Sequence, residues 1–233
     1  MDNNRIILIT GTSKGIGQYL VEHYTALGYR VIGCSRSEIS TKIHNYDHYC
    51  IDVTDENRVK TMFNDIRKKY GQLDILINNA GIASMNHFLL TTSDTVDKIM
   101  NTNFKGTFLF CRESAKLMKK NNFGRIVNFV TVAVPLRLEG EAIYAASKAA
   151  VISLTQILAK ELAPMGITVN AIGPTPTQTD LIRSVPQPLI DKLIKRLAIP
   201  RLGEFQDISN VLDFFINDKS NYVTGQTIYL GGA

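Results

Sequence analysis

The sequence predicts a single α/β domain built from βαβ units around a largely parallel sheet. Short apolar, β-prone runs alternate along the chain with longer stretches of helical period. A glycine-rich turn lies directly between the first of these runs and the first helical stretch. The 233 residues, 45% of them hydrophobic, suffice for one core, and no linker, repeat or low-complexity segment divides them. The whole chain, 1–233, is therefore expected to be one domain.

The elements follow in order. "RIILIT" (5–10) is a buried strand, and "GIGQYLVEHYTALG" is a helix ending at Gly28. "YRVIGCS" (29–35) is the second strand. "DHYCIDVTD" carries a short third strand and then an Asp/Thr start for the helix "TDENRVKTMFNDIRKKYG". "LDILINNAG" (73–81) holds the fourth strand, and one long helical region runs from about Ser93 to Asn121. "GRIVNFVT" (124–131) is the fifth strand, and "AIYAASKAAVISLTQILAKELAPMG" a long helix stopped by Pro164. "GITVNAIGP" (166–174) is the sixth strand, "ISNVLDFFIN" a further helix and "GQTIYL" (225–230) a final short strand. The segment 174–188 contains four of the seven prolines. It is expected to be a loop over the carboxyl end of the sixth strand, where open α/β sheets bind ligands. It opens a substrate-binding loop and helix insertion over 174–200.

Composition narrows the function classes. No run of 18 or more apolar residues suggests a membrane span, and the N-terminus has a five-residue apolar run rather than a secretory leader. Cys34, Cys50 and Cys111 have no metal-ligand spacing and read as reduced thiols of a cytoplasmic protein, so no metal site is expected. The net charge of +5 comes from scattered residues, densest in "RKKY" and "MKKNN". These read as solvated helix ends, not as a nucleic-acid-binding stripe.

The turn Gly11, Thr12, Ser13, Lys14, Gly15, Ile16, Gly17 has the pattern G-x3-G-x-G. Glycines allow a tight turn and close approach of a pyrophosphate to backbone N–H groups, and the helix start adds partial positive charge. A dinucleotide site is expected there. Discrimination between cofactors falls to the end of the second strand, where Ser35 and Arg36 stand and no carboxylate does. The Arg36 guanidinium suits a 2′-phosphate, and Lys14 adds a second positive charge. Both favour NADP(H). Glu38 could turn toward the ribose, so NAD(H) remains possible.

"TGTSKGIG", "CIDVTD", "NNAG", "MNTNFKG", "YAASK", "VNAIGP" and "VTGQTIYLGG" occur in this order. Together they resemble the short-chain dehydrogenase/reductase family over nearly the whole chain, with 3-oxoacyl-carrier-protein reductases as the nearest common subgroup. The resemblance implies a single-domain Rossmann fold with a doubly wound, mostly parallel seven-stranded sheet and helices on both faces. It also implies an NAD(P)-dependent oxidoreductase acting on a small carbonyl or alcohol, and a homotetramer or homodimer.

Tyr144 and Lys148 lie four apart on one helix face, so both address one point. A tyrosine titrates near 10, and lowering it to about 7 takes roughly 4 kcal/mol favouring the phenolate. A nearby ammonium and the positive nicotinamide ring would supply that. The resemblance implies that Tyr144 exchanges the proton, Lys148 also holds the nicotinamide ribose, Thr131 bonds the substrate oxygen, and Asn103 helps a water relay reach the lysine. It implies further cofactor contacts at Asp52 and Val53 (the adenine end), at Asn79, Ala80 and Gly81 after the fourth strand, and at Pro174, Thr175, Thr177 and Thr179. Asn78 is expected beside the adenosine ribose and Ile172 as a backbone contact. For Asp52 a helix-start role competes, and for Asn79 a strand-tying one.

Two departures stand out: Thr131 replaces the usual serine, and Thr175 the usual glycine. The substrate has two readings. Carrier-protein reductases show basic residues where this chain has Asn121, Asn122, Phe123 and Met165, which weakens docking of an acidic carrier. The loop before Tyr144 holds Arg137, Glu139 and Glu141, and Glu141 is placed to face a polar, sugar-like ketone. A ketoacyl thioester is the other reading. A non-catalytic NADP-binding regulator would have an eroded tyrosine–lysine pair. Sugar epimerases would show a T-G-x-x-G-x-x-G turn and a longer C-terminal domain, and divergent enoyl reductases a tyrosine six residues before the lysine. This chain has none of these features.

Overall fold

The structure is a computed structural model and describes residues 5–39, 43–177 and 187–233. Seven strands form one parallel sheet in the order β3-β2-β1-β4-β5-β6-β7. They are β1 (Ile6–Thr10), β2 (Arg30–Ser35), β3 (Tyr46–Cys50), β4 (Ile75–Asn78), β5 (Gly124–Phe129), β6 (Ile167–Gly173) and β7 (Thr227–Tyr229). The expected seven-stranded, doubly wound Rossmann sheet is present.

Alternation along the strands builds two cores. Leu8, Ile32, Leu76, Ile126 and Val169 face the helices α2 (Glu56–Tyr70), α4 (Gly106–Met118) and α6 (Ala142–Leu162). Ile7, Ile9, Val31, Ile75, Ile77 and Val127 face α1 (Gly15–Ala26) and α8 (Phe205–Ile216). Because both sheet faces are covered, β1, β4, β5 and β6 are buried along their whole length rather than at alternate residues. The expected start of α2 is also found: the Asp55 carboxylate accepts from the N–H groups of Asn57 and Arg58, each at 3.1 Å. The helix stops at Gly71, whose φ of 72° suits a glycine C-cap.

Three local expectations change. The helical region 93–121 is not one helix. It divides into α3 (Ser93–Met100), a π-turn over Asn101–Lys105, α4 and a short 3₁₀ turn. The widened π-turn leaves Asn103 buried with its side chain aimed at the backbone of Ile82. A short helix α5 (Ala133–Leu136) follows β5, where only loop was expected. Gln187 and Pro188, expected in a loop, belong to the helix α7 (Gln187–Ile194). Pro188 sits in its first turn, where a missing N–H breaks no helical bond.

The stretch Ala142–Met165 is long and apolar enough by length and composition to cross a membrane, although no run of 18 apolar residues exists. Its Ser147, Lys148, Val151, Thr155 and Ala159 are buried, facing inward in the fold. Thr155 accepts a bond from Asn128 of β5 at 2.9 Å, and Lys148 donates to the carbonyl of Phe129. These contacts make it a core helix of the sheet.

Candidate active site

The winding direction reverses between β1 and β4, so their two turns meet at the carboxyl edge of the sheet. Gly11 (φ 75°) lies so close to the β4 turn that a Cβ there would stand 2.9 Å from Ala80 Cα. Asn79 ties the turns together, donating to the carbonyls of Thr10 and Gly11 at 2.9 and 3.1 Å. The Ala80 N–H donates to the Thr10 hydroxyl at 2.9 Å. Asn79 therefore has the tying role that was the alternative to a cofactor contact. A Cβ on Gly17 would fall 2.1 Å from Gly11 O, so the helix start packs directly on the turn. Gly15 (φ 59°) opens α1, and the lysine at its N-cap, Lys14, has no side-chain acceptor for the first-turn N–H groups. Those donors fit an anion such as a pyrophosphate. Thr12 is buried, Ile16 half-buried, and Ser13 and Lys14 are exposed.

Ser35 closes β2 with its hydroxyl buried, while Arg36 and Glu38 are exposed just beyond. Asp52 Oδ1 accepts from the N–H and hydroxyl of Thr54 at 2.9 and 2.8 Å. The Asp52 carboxylate thus closes the turn that leads into α2, and Val53 beside it is buried against Gly106.

Tyr144, Lys148, Thr131 and Asn103 converge near Gly81. Tyr144 lies in the first turn of α6, half-buried, with the Thr131 side chain close enough to favour its ionised form. Thr131 is 8% exposed, and its Oγ1 also accepts from the Ala133 N–H at 3.2 Å. Lys148 is 3% exposed, and its Nζ donates to the Phe129 carbonyl at 2.8 Å. A Cβ at Gly81 would stand 3.3 Å from both Lys148 Nζ and Asn103 Oδ1. Glycine thus keeps the space in front of the ammonium open. With further hydrogens to donate, the ammonium fits the hydroxyls of a ribose.

The electrostatics depart from the sequence expectation. Burial pushes Tyr144 up to about 12, the nearby Glu141 carboxylate pushes the same way, and the Thr131 hydrogen bond opposes them. Lys148 is not among the groups acting on it. Burial lowers Lys148 to about 8. The protein alone thus keeps the phenol protonated at neutral pH, and the positive nicotinamide ring expected to help lower it belongs to the bound cofactor. Burial also raises the Glu141 carboxyl, which lies one turn ahead of the tyrosine.

Asn103 donates to the Ile82 carbonyl at 2.9 Å and accepts from the Ile82 N–H at 2.9 Å. It also donates to Ser147 Oγ at 3.0 Å, and that hydroxyl donates to Tyr144 O at 2.7 Å. The amide therefore fixes the loop after β4 and the backbone of the tyrosine. Thr175 and Thr177 are buried, with the Thr175 side chain packed where Gly203 and Gly231 leave room. Thr177 donates to the Thr175 carbonyl at 3.1 Å, and Pro174 accepts from Val132 N–H at 3.4 Å. The Ile172 carbonyl accepts from the Val130 N–H at 2.8 Å. Thr179 lies outside the described residues.

Asn78 is buried at the end of β4. Its amide donates to Asn128 Oδ1 at 2.9 Å, inside the core under α4, because β4 presents this residue to that face. Sequence reasoning missed Ser147, Asn128 and Thr155, which join the site to the sheet. Their signal was only that each is polar within an otherwise apolar run. It also missed Tyr46 and His48 on β3.

The family described as enoyl-(acyl carrier protein) reductase matches residues 11–232. The 3-oxoacyl-[acyl-carrier-protein] reductase FabG of Salmonella typhimurium is 33% identical over 236 residues, covering 98% of this chain and 96% of that protein. FabG of Staphylococcus aureus is 33% identical over 242 residues, covering 100% and 98%. Among solved structures, ElxO with NADP bound superposes with a TM-score of 0.89 at 31% identity, covering 97% of each chain. The ligand-free aldohexose dehydrogenase of Thermoplasma acidophilum gives 0.91 at 28% identity, covering 99% and 94%. The chain belongs to the short-chain dehydrogenase/reductase family of oxidoreductases.

Proposed function

We propose that this protein is an NADP(H)-preferring reductase that converts a small carbonyl compound to a secondary alcohol. The observation that carries the proposal is the half-buried Tyr144, whose phenol is pushed up to about 12 by burial and which lies beside Thr131 and one helical turn from the buried Lys148. A bound nicotinamide supplies the hydride chemistry at the carbonyl carbon. Thr131 holds the carbonyl oxygen against Tyr144, which donates its proton as negative charge develops there. Lys148, charged below about 8, holds the ribose and draws the phenolate's charge. Asn103 keeps the post-β4 loop and the tyrosine backbone in register. Arg36 and Lys14 read the 2′-phosphate, and Gly11 to Gly17 cradle the pyrophosphate. Pro174, Thr175, Thr177 and Thr179 are the proposed contacts to the nicotinamide end of the cofactor.

Two substrate classes have support. The FabG relatives favour a 3-oxoacyl thioester. The half-buried Glu141 carboxylate, close enough to act on Tyr144, favours a polar ketone that donates hydrogen bonds. Carrier docking is weakened by Arg125, which is buried against Phe123 with its guanidinium 4.4 Å from the ring centroid. The intact tyrosine–lysine pair disfavours a non-catalytic NADP-binding regulator, the reading from a different functional class. The enzyme is further proposed to be cytoplasmic, in keeping with three free thiols, and a homodimer or homotetramer. Exposed Phe108 on α4 and Ile157 on α6 support the second point.

The test follows NADPH oxidation with 3-oxoacyl thioesters, simple ketones and keto-sugars, and repeats it with NADH. Turnover of one class with NADPH preferred supports the proposal. Equal or better use of NADH contradicts the roles of Arg36 and Lys14. Cofactor binding without turnover of any class revives the regulator.

A further inference from the structure

A chain of hydrogen bonds crosses the edge of the sheet beneath the adenosine end of the site. Tyr46 on β3 donates from its hydroxyl to Thr12 Oγ1 in the glycine turn at 2.9 Å and lies 2.8 Å from His48 Nδ1. On its other side, His48 Nε2 lies 3.0 Å from the Ser37 carbonyl and 3.2 Å from Ser35 Oγ. A carbonyl only accepts, so Nε2 carries a hydrogen and donates to Ser37. The Ser35 hydroxyl donates to the same carbonyl at 2.8 Å, and Cys50 Sγ donates to the carbonyl of Arg36 at 3.1 Å. The chain passes across β2 at Gly33, where a Cβ would stand 2.2 Å from the Tyr46 hydroxyl. The short turn that carries Arg36 is therefore pinned from β3, and the same histidine connects it through Tyr46 to the phosphate-binding turn.

We infer that His48 is a positioning residue for cofactor choice, holding the Ser35–Ser37 turn so that Arg36 engages a 2′-phosphate. The inference rests on the NADP reading above. Beyond the pairing of β2 with β3 and the bond from the Ile51 N–H to the Ser35 carbonyl at 2.8 Å, this turn is held by side chains of β3, and an exposed arginine on a looser turn loses orientation entropy when it binds. A fixed backbone reduces that loss for the 2′-phosphorylated ligand and has no effect on a ligand lacking the group.

The test measures binding by calorimetry, with 2′,5′-ADP and 5′-ADP as probes, in the wild type, His48→Leu, His48→Gln, Cys50→Ala, Arg36→Ala and the His48→Leu/Arg36→Ala double variant. Circular dichroism confirms that each variant is folded. In His48→Leu, affinity for 2′,5′-ADP is expected to fall about fivefold while that for 5′-ADP stays within about twofold. His48→Gln, which keeps a donor for Ser37, restores most of the loss, and Cys50→Ala shows a smaller loss of the same kind. Arg36→Ala costs clearly less in the His48→Leu background than in the wild type, because both changes remove one effect. A wild type that does not prefer 2′,5′-ADP refutes the NADP reading itself. A preference that survives His48→Leu refutes the role of His48, as do equal losses for both probes or additive effects of the two substitutions. If His48→Leu does not fold, Cys50→Ala and His48→Gln decide by the same ratio.

Discussion

Lys148 Nζ donates to the carbonyl of Phe129, 2.8 Å away, and thereby anchors the start of α6 to the last residue of β5. The ammonium sits in the interior, and burial lowers it from 10.5 to about 8. That position is unfavourable for folding and useful for chemistry.

The stability consequence has a definite sign. Below about 8 both the folded and unfolded states hold the proton and the burial penalty is complete. Between about 8 and 10.5 the unfolded chain keeps the proton while the folded one has released it, so stability rises with pH. Lys148→Met removes a penalty on the order of 3 kcal/mol by linkage, offset by about 1 kcal/mol for the carbonyl left without its donor. The variant is expected to melt higher than the wild type at pH 7, with the gap narrowing toward pH 10. Melting curves across that range check it, and a less stable variant at pH 7 contradicts the burial argument.

Thr131 carries the second prediction. Its hydroxyl acts on Tyr144 and accepts from the Ala133 N–H, and a serine keeps that hydroxyl. Thr131→Ser is expected to stay within about threefold of wild-type kcat/KM, and Thr131→Ala to lose about a hundredfold. An unchanged Thr131→Ala removes the residue from the site.

Much of this site is legible in the sequence because its signals are local. The glycine turn, the Tyr144–Lys148 spacing and the Asp55 cap depend on residues within one or two turns. What stayed hidden depends on contacts between distant segments. The place of the Thr175 side chain depends on Gly203 and Gly231, distant in sequence, which make room for it. The duty of Asn103 depends on a π-turn that interrupts an otherwise helical pattern. The rise of the Tyr144 pKa in the protein alone was not legible either, because burial is a tertiary property. His48 and Tyr46 gave no signal at all, since a short polar-looking edge strand predicts nothing about what crosses it.

The pH profiles of the two directions should differ. Reduction uses the protonated phenol, which sits at about 12 in the protein alone, so its rate is flat through neutral pH and falls above about 8 as Lys148 loses its charge. Oxidation of the product alcohol needs the phenolate and is expected to rise with pH by about tenfold per unit below the tyrosine's effective pKa. Initial rates in both directions, from pH 6 to 10 at saturating cofactor, test this. A reduction rate that rises with pH contradicts it.

The most direct test of the proton-transfer assignment compares Tyr144→Phe with the wild type in two assays, NADPH binding by fluorescence quenching and NADPH-dependent reduction of the best carbonyl substrate. The account predicts a dissociation constant unchanged within about twofold and kcat lowered by about a thousandfold, because only the proton donor is removed. Undiminished turnover by Tyr144→Phe would contradict it.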